Sequence, residues 1–160
     1  MAGPYQRISP FLWFDDKAEE AAKLYVSIFP NSKIHGTTQY PKGDTGPAGR
    51  PPGSVMTVSF SLDGQLVTAI NGGPMFKFTE AISLVVMCHD QTEIDHYWSK
   101  LGEGGDPKAQ VCGWLKDKYG LSWQIVPENI SEIANNPKAM EAVMQMKKLD
   151  LAVLNKALAS

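Results

Sequence analysis

The stretch Cys112-Gly113-Trp114-Leu115-Lys116-Asp117-Lys118-Tyr119-Gly120-Leu121-Ser122-Trp123-Gln124-Ile125-Val126-Pro127 reads as two short strands joined by a turn at Asp117 to Gly120. Strand alternation puts Ser122, Gln124 and Val126 on one face and Leu121, Trp123 and Ile125 on the other. With the Trp123 side packed under a helix, Ser122 and Gln124 are left to face a cavity. Gln124 is the telling residue, because a polar group on a buried strand must find a partner. An amide both donates and accepts, which suits a substrate carbonyl or hydroxyl. A buried glutamine bonded to neighbouring backbone explains the same residue equally well.

A similar hairpin stands earlier in the chain. Val55 to Leu62 alternates cleanly, Asp63-Gly64 is a strong hairpin turn, and Gln65 to Ile70 returns before Asn71-Gly72-Gly73-Pro74 breaks the strand. Before it, Ile8 to Phe14 is a short aromatic run expected to be a strand buried on both faces. Asp15-Asp16 can cap a helix from Lys17 to Phe29, in which Ala21, Leu24, Tyr25 and Ile28 form one apolar stripe. Ser32 to Tyr40 alternates loosely as a strand, and Pro41 to Ser54, with its glycines and prolines, is a loop.

That order, strand, helix and three strands, then starts again. Ala81 to Cys88 is an apolar strand, and Asp90 can cap a helix from Gln91 to Leu101 with Ile94, Tyr97, Trp98 and Leu101 as its stripe. Strands follow around Ala109–Cys112, Gly113–Lys116 and Leu121–Val126. Residue identity between the halves is poor, so the repeat rests on element order. Ser131 to Ala159 is helical in character, broken at Asn135-Asn136-Pro137, and its apolar side (Met140, Val143, Met144, Leu151, Leu154) must cover either the sheet or a second subunit. The expected organisation is a first module over 1–78, a second over 79–128 and a helical tail over 129–160.

Bulk properties set limits on function. A hydrophobic share of 43%, 20% charged residues and a net charge of −2 describe an ordinary globular chain. No basic surface calls for nucleic acid, and no apolar run approaches the ~18 residues that span a bilayer. Met1 to Arg7 lacks the layout of a signal peptide. Cys88 and Cys112, with no CxxC spacing, indicate neither a disulfide framework nor a zinc cluster, so a reduced cytoplasmic setting is expected.

Several stretches together resemble the PhnB-like branch of the glyoxalase, or vicinal oxygen chelate, superfamily, whose members often carry the label 3-demethylubiquinone-9 3-methyltransferase. They are Leu12-Trp13-Phe14-Asp15 with Ala18-Glu19-Glu20-Ala21 and Tyr25, and Asn71-Gly72-Gly73-Pro74 with Phe76-Lys77-Phe78. Ala81-Ile82-Ser83, Glu93 with Asp95-His96-Tyr97-Trp98, and Trp123 to Pro127 complete the set. The resemblance implies an α+β fold of paired βαβββ modules whose eight strands form a curled mixed sheet around a cavity, here with added C-terminal helices. It also implies a homodimer and a small-molecule ligand.

Metal-using members of that superfamily place ligands on the first and last strand of each module. Counting back seven residues from Asp16 and Asp90 reaches Ser9 and Ser83, and counting four on from Gly64 and Gly120 reaches Thr68 and Gln124. Two serines, a threonine and an amide offer neither charge nor imidazole, so a divalent metal is disfavoured and no other cofactor is expected. His35, His89 and His96 stand apart from these positions.

The candidate cavity residues are Gln124, Ser122, Trp114, Cys112, Asn71, Thr68, Phe76, Phe78, Ser83 and Ser9. For Cys112 a small buried hydrophobe competes with a reactive thiol, and for Asn71 a turn residue competes with a ligand group. Trp98 reads as core. The chain is expected to be a small-molecule enzyme or enzyme-like domain without a tightly bound metal, or else a binding protein without turnover. The methyltransferase of the family label ranks below both, since Gly72-Gly73 runs into Pro74 and aromatics rather than into a helix.

Overall fold

The computed structural model describes residues 6–160. The stretch Met1 to Arg7, considered above for a signal peptide, therefore lies outside the described residues up to position 5. The chain divides between Lys77 and Phe78 into two compact units.

In the first unit the elements are β1 (Phe11–Phe14), α1 (Ala18–Ile28), β2 (Lys33–Gln39), β3 (Val55–Leu62) and β4 (Gln65–Asn71). The strands form one sheet in the order β1-β4-β3-β2, with β1 parallel to β4 and the other pairs antiparallel. Asp63 and Gly64 make the β3–β4 turn, both with positive φ (47° and 80°), the backbone that a two-residue hairpin requires. Alternate residues of the sheet, among them Leu12, Phe14, Val58, Phe60, Val67 and Ala69, are buried, as are Ala21, Tyr25 and Ile28 of the helix.

Two expectations for this unit need correction. The first strand covers only Phe11–Phe14 and is not buried on both faces, since Phe11 is 60% exposed. It pairs with β4 alone, at the edge of the sheet, so only Leu12 and Phe14 reach the core. The helix start is not capped by Asp15-Asp16. Asn71, from the end of β4, accepts the Ala18 N–H at 2.8 Å and donates its amide to the Val55 carbonyl at 3.1 Å. Tyr40 donates its hydroxyl to the Asn71 carbonyl at 2.6 Å. One buried asparagine thus ties helix, strand and loop together, satisfying an amide that the helix leaves open.

The second unit contains β5 (Ser83–Cys88), α2 (Gln91–Gly102), β6 (Trp114–Lys116), β7 (Ser122–Pro127), α3 (Ile130–Ala134), α4 (Pro137–Met144) and α5 (Leu151–Leu158). Its sheet runs β5-β7-β6, parallel then antiparallel. Asp90 caps α2 as expected, accepting the Glu93 N–H at 2.9 Å. Trp98 is half-buried rather than core, the buried side of α2 being Ile94, Tyr97 and Leu101.

The strand expected around Ala109–Cys112 is a 3-10 turn at Pro107–Ala109 followed by an isolated bridge from Val111 to Trp114. Seven strands are therefore present among the described residues, not the eight that the resemblance implies. Asp106 caps that turn at the Lys108 N–H, and Cys112 and Gly113 both adopt positive φ, which bends the chain out of a sheet. Their N–H groups donate to the carbonyls of Met146 and Lys147 at 2.8 Å, so the tail takes the place of a neighbouring strand.

The tail belongs to the second unit. Ile133, Ala139, Val143, Leu149 and Leu154 bury themselves with Val126 of β7, while Met144 of the expected apolar side stays exposed. Gln91 fastens the tail to the start of α2 by bonding both the Leu149 carbonyl and the Leu151 N–H. No helix among the described residues is long and apolar enough to cross a membrane.

Two predictions follow from these contacts. A Cβ at Gly72 would stand 2.3 Å from the Trp13 ring, which is itself held by an indole bond to the Gly73 carbonyl at 2.9 Å. Gly72→Ala should lower stability by about 1–3 kcal/mol through overpacking, and an unchanged urea midpoint would contradict this. His89 Nδ1 pairs with Glu128 at 2.6 Å, and that bond, with the charges of Glu128 and Glu93, holds the imidazole above its ordinary pKa. A raised folded-state pKa gives stability that is full below the ordinary histidine range and is lost as pH rises through the raised value. An NMR titration should show Glu128→Gln bringing the His89 midpoint back down, while an unmoved midpoint would refute the pairing.

Candidate functional site

The second sheet gathers the polar residues singled out in the opening stretch. Its register places Ser83, Ser122 and Lys116 in one row across the three strands, and Val85, Gln124 and Trp114 in the next. Both rows lie on the same face, because their members are two residues apart along each strand. The opposite face carries Leu115, Trp123 and Ile125, all buried. Gln124 and Ser122 thus lie opposite Trp123, and Gln124 Nε2 donates to the Ser83 hydroxyl at 2.9 Å. Neither hypothesis for Gln124 foresaw a side-chain partner on the parallel neighbour.

The turn between β6 and β7 is fixed by Asp117, which is 2% exposed. Its Oδ1 accepts the N–H groups of Tyr119 and Leu121 at 2.8 and 3.1 Å, and its Oδ2 accepts the Trp123 indole N–H at 2.9 Å. Asp side chains readily bond the backbone two residues on, but here the same carboxylate also anchors a buried tryptophan. The hairpin and the orientation of its two faces are set by one side chain.

An open pocket of about 550 Å³ lies against β6. Trp114, Lys116 and Ser122 line it from the sheet, Cys112 and Lys108 from the preceding segment, and Glu80 from the approach to β5. The volume falls in the range of small-molecule sites. Glu80 forms an ion pair with Lys116, which holds its carboxyl below the usual carboxylate range. Ser122 is 1% exposed, and its hydroxyl has no hydrogen-bond partner within the protein. Leaving such a group unpaired costs roughly 1–3 kcal/mol.

The other candidates are distributed differently. Phe78 is half-buried at the start of the second unit. In the first unit Ser9 is exposed, Phe76 is exposed beyond its edge-on contact with Trp13, and Thr68 and Asn71 occupy opposite faces of β4. Asn71 has its amide committed to Ala18 and Val55. Burial, with Glu93 and Asp90 nearby, pushes the Cys88 thiol up to about 12, so it is an inert core group. Cys112 is half-buried and lines the pocket.

The positions implied for a metal offer hydroxyls and one amide, and on the second sheet two of them bond each other. Among the described residues no three His, Cys, Asp or Glu side chains are grouped to hold an ion. This donor set does not fit a tightly bound divalent metal. Sequence reasoning missed Asp117 as a buried anchor, although its position among Leu115, Leu121 and Trp123 was a signal. It also missed Glu80 and Lys116, whose pairing across more than thirty residues leaves no mark in the sequence.

The family described as 3-demethylubiquinone-9 3-methyltransferase matches residues 6–126. The PhnB protein from Bacillus cereus is 37% identical, with 76% of this chain and 99% of that one covered and a TM-score of 0.64. Protein PA1353 from Pseudomonas aeruginosa is 19% identical over 78% of this chain and 98% of its own, with a TM-score of 0.55. The fosfomycin resistance protein FosX from Listeria monocytogenes is 14% identical over 82% and 98%, with a TM-score of 0.50. The last two show likeness of fold alone. No curated protein matches the chain. With three quarters of its length matched by the family and by the Bacillus relative, the chain belongs to the 3-demethylubiquinone-9 3-methyltransferase family and is PhnB-like.

Proposed function

We propose that the chain binds a small molecule in the pocket of its second unit, without help from a metal ion. The observation that carries this reading is the pocket wall, where Lys116 and the Ser122 hydroxyl stand beside the Trp114 indole; Gln124 and Ser83, at the positions implied for a metal, do not line it and are bonded to each other. A neutral amide and hydroxyl can orient a ligand but supply no charge to hold a divalent ion. The pocket combines an indole wall with a few convergent polar groups, the usual make-up of a ligand site. Turnover of the ligand, as opposed to sequestration, is read by looking for product after incubation.

The methyltransferase reading finds less support. Gly72 and Gly73 follow the end of β4 and lead into irregular chain, not into the helix start that would receive the cofactor's charged end. A Cβ at Gly73 would meet the Ala48 carbonyl at 2.9 Å, so the glycines serve close packing within the unit.

Thermal melts with and without ligand test both points, since anything bound selectively to the folded chain raises Tm. Neither millimolar S-adenosylmethionine nor micromolar zinc, nickel or manganese should raise Tm. A stoichiometric, stabilising uptake of any of these ions would overturn the metal-free reading.

A further inference from the structure

The pocket beside β6 contains a hint of what it takes. Two lysines, Lys108 and Lys116, line it against one acid, Glu80. The Lys116 ammonium is already engaged by a carboxylate, that of Glu80, which is mostly exposed and reaches in from the chain before β5. Directly opposite Lys116 on the neighbouring strand stands Ser122, so the two side chains leave the sheet next to one another. The Ser122 hydroxyl is unpartnered and has almost no accessible surface, so a group in the pocket meets it only once the neighbouring side chains move aside. Next to these polar groups the wall is the Trp114 indole, half-buried and flanked by Val111.

We propose that this pocket selects a small carboxylate with an apolar or aromatic body. The carboxylate takes the place of Glu80 on Lys116 and accepts the Ser122 hydroxyl proton in a hydrogen bond, while the body lies against Trp114. This rests on the reading that the pocket is the ligand site, and adds the ligand class. Glu80 then acts as an internal competitor: its side chain occupies Lys116 when the pocket is empty and swings into solvent when a ligand arrives. Charge-assisted bonds are stronger than neutral ones, which is why an acid should be preferred over its amide.

The test is an amide-resolved NMR titration of the ¹⁵N-labelled full chain with phenylacetate and with phenylacetamide. Phenylacetate should move the signals of Trp114, Lys116 and Ser122 and bind about tenfold more tightly than the amide, the ratio a single charge-assisted contact provides. Lys116→Met should abolish the preference, and Glu80→Gln should tighten phenylacetate several-fold, roughly as expected for removing a competing charge. Ser122→Ala should weaken phenylacetate without lowering Tm, because it deletes a hydroxyl that has no partner in the empty protein. Equal binding of acid and amide, or weaker binding of acid by Glu80→Gln, overturns the carboxylate assignment. If the pocket signals answer the amide but not the acid, the pocket reading stands and the assignment falls. If they answer neither compound, both fall.

Discussion

A single buried carboxylate holds the second unit in its working shape. Asp117 gathers two backbone N–H groups of its own turn and the indole of Trp123, six residues on. Each donor would otherwise be a polar group shut away from water, so the turn cannot relax without exposing or orphaning them. Because strand side chains alternate, fixing Trp123 on the helix face fixes Ser122 and Gln124 on the other. The pocket is therefore a consequence of where one aspartate points.

The first unit uses the same device with a different residue. Asn71 closes the open start of α1 and holds β3 through the Val55 carbonyl, and its own carbonyl receives Tyr40. Directly after it, Gly72 lets the Trp13 ring lie where a side chain would be. The Asn71-Gly72-Gly73 run is thus explained by packing inside one unit. This close packing leaves the glycine turn no open space for a ligand, in keeping with the proposal that the pocket beside β6 is the ligand site.

Most of the architecture was legible in the chain. Asp63-Gly64 specified a hairpin by its turn chemistry, the stripe through Ala21, Tyr25 and Ile28 specified α1, and Asp90 announced the start of α2. What failed had a physical cause in tertiary pairing. Asp15-Asp16 looked like a local cap, but the distant Asn71 fills that role. The segment Ala109–Cys112 looked like a strand until the positive φ of Cys112 and the carbonyls of Met146 and Lys147 are taken into account, and neither can be seen in local pattern. Within the candidate site, alternation alone placed Ser122 and Gln124 on one face, but which residues of the neighbouring strands stand beside them depends on the register. The Gln124–Ser83 bond and the Lys116–Glu80 pair join residues far apart in sequence, and no spacing encodes them.

The central claim is that Asp117 builds the face on which the ligand is held. It is tested most directly by hydrogen exchange of the Trp123 indole N–H and the Leu121 amide in Asp117→Asn. The change keeps the shape of the side chain but replaces one acceptor oxygen by a donor, which then confronts a donor. The account predicts that both groups lose protection and that phenylacetate no longer moves the Lys116 and Ser122 signals, while Val58 and Ala69 in the first unit stay protected. Unchanged protection of Trp123 together with undiminished binding would contradict it.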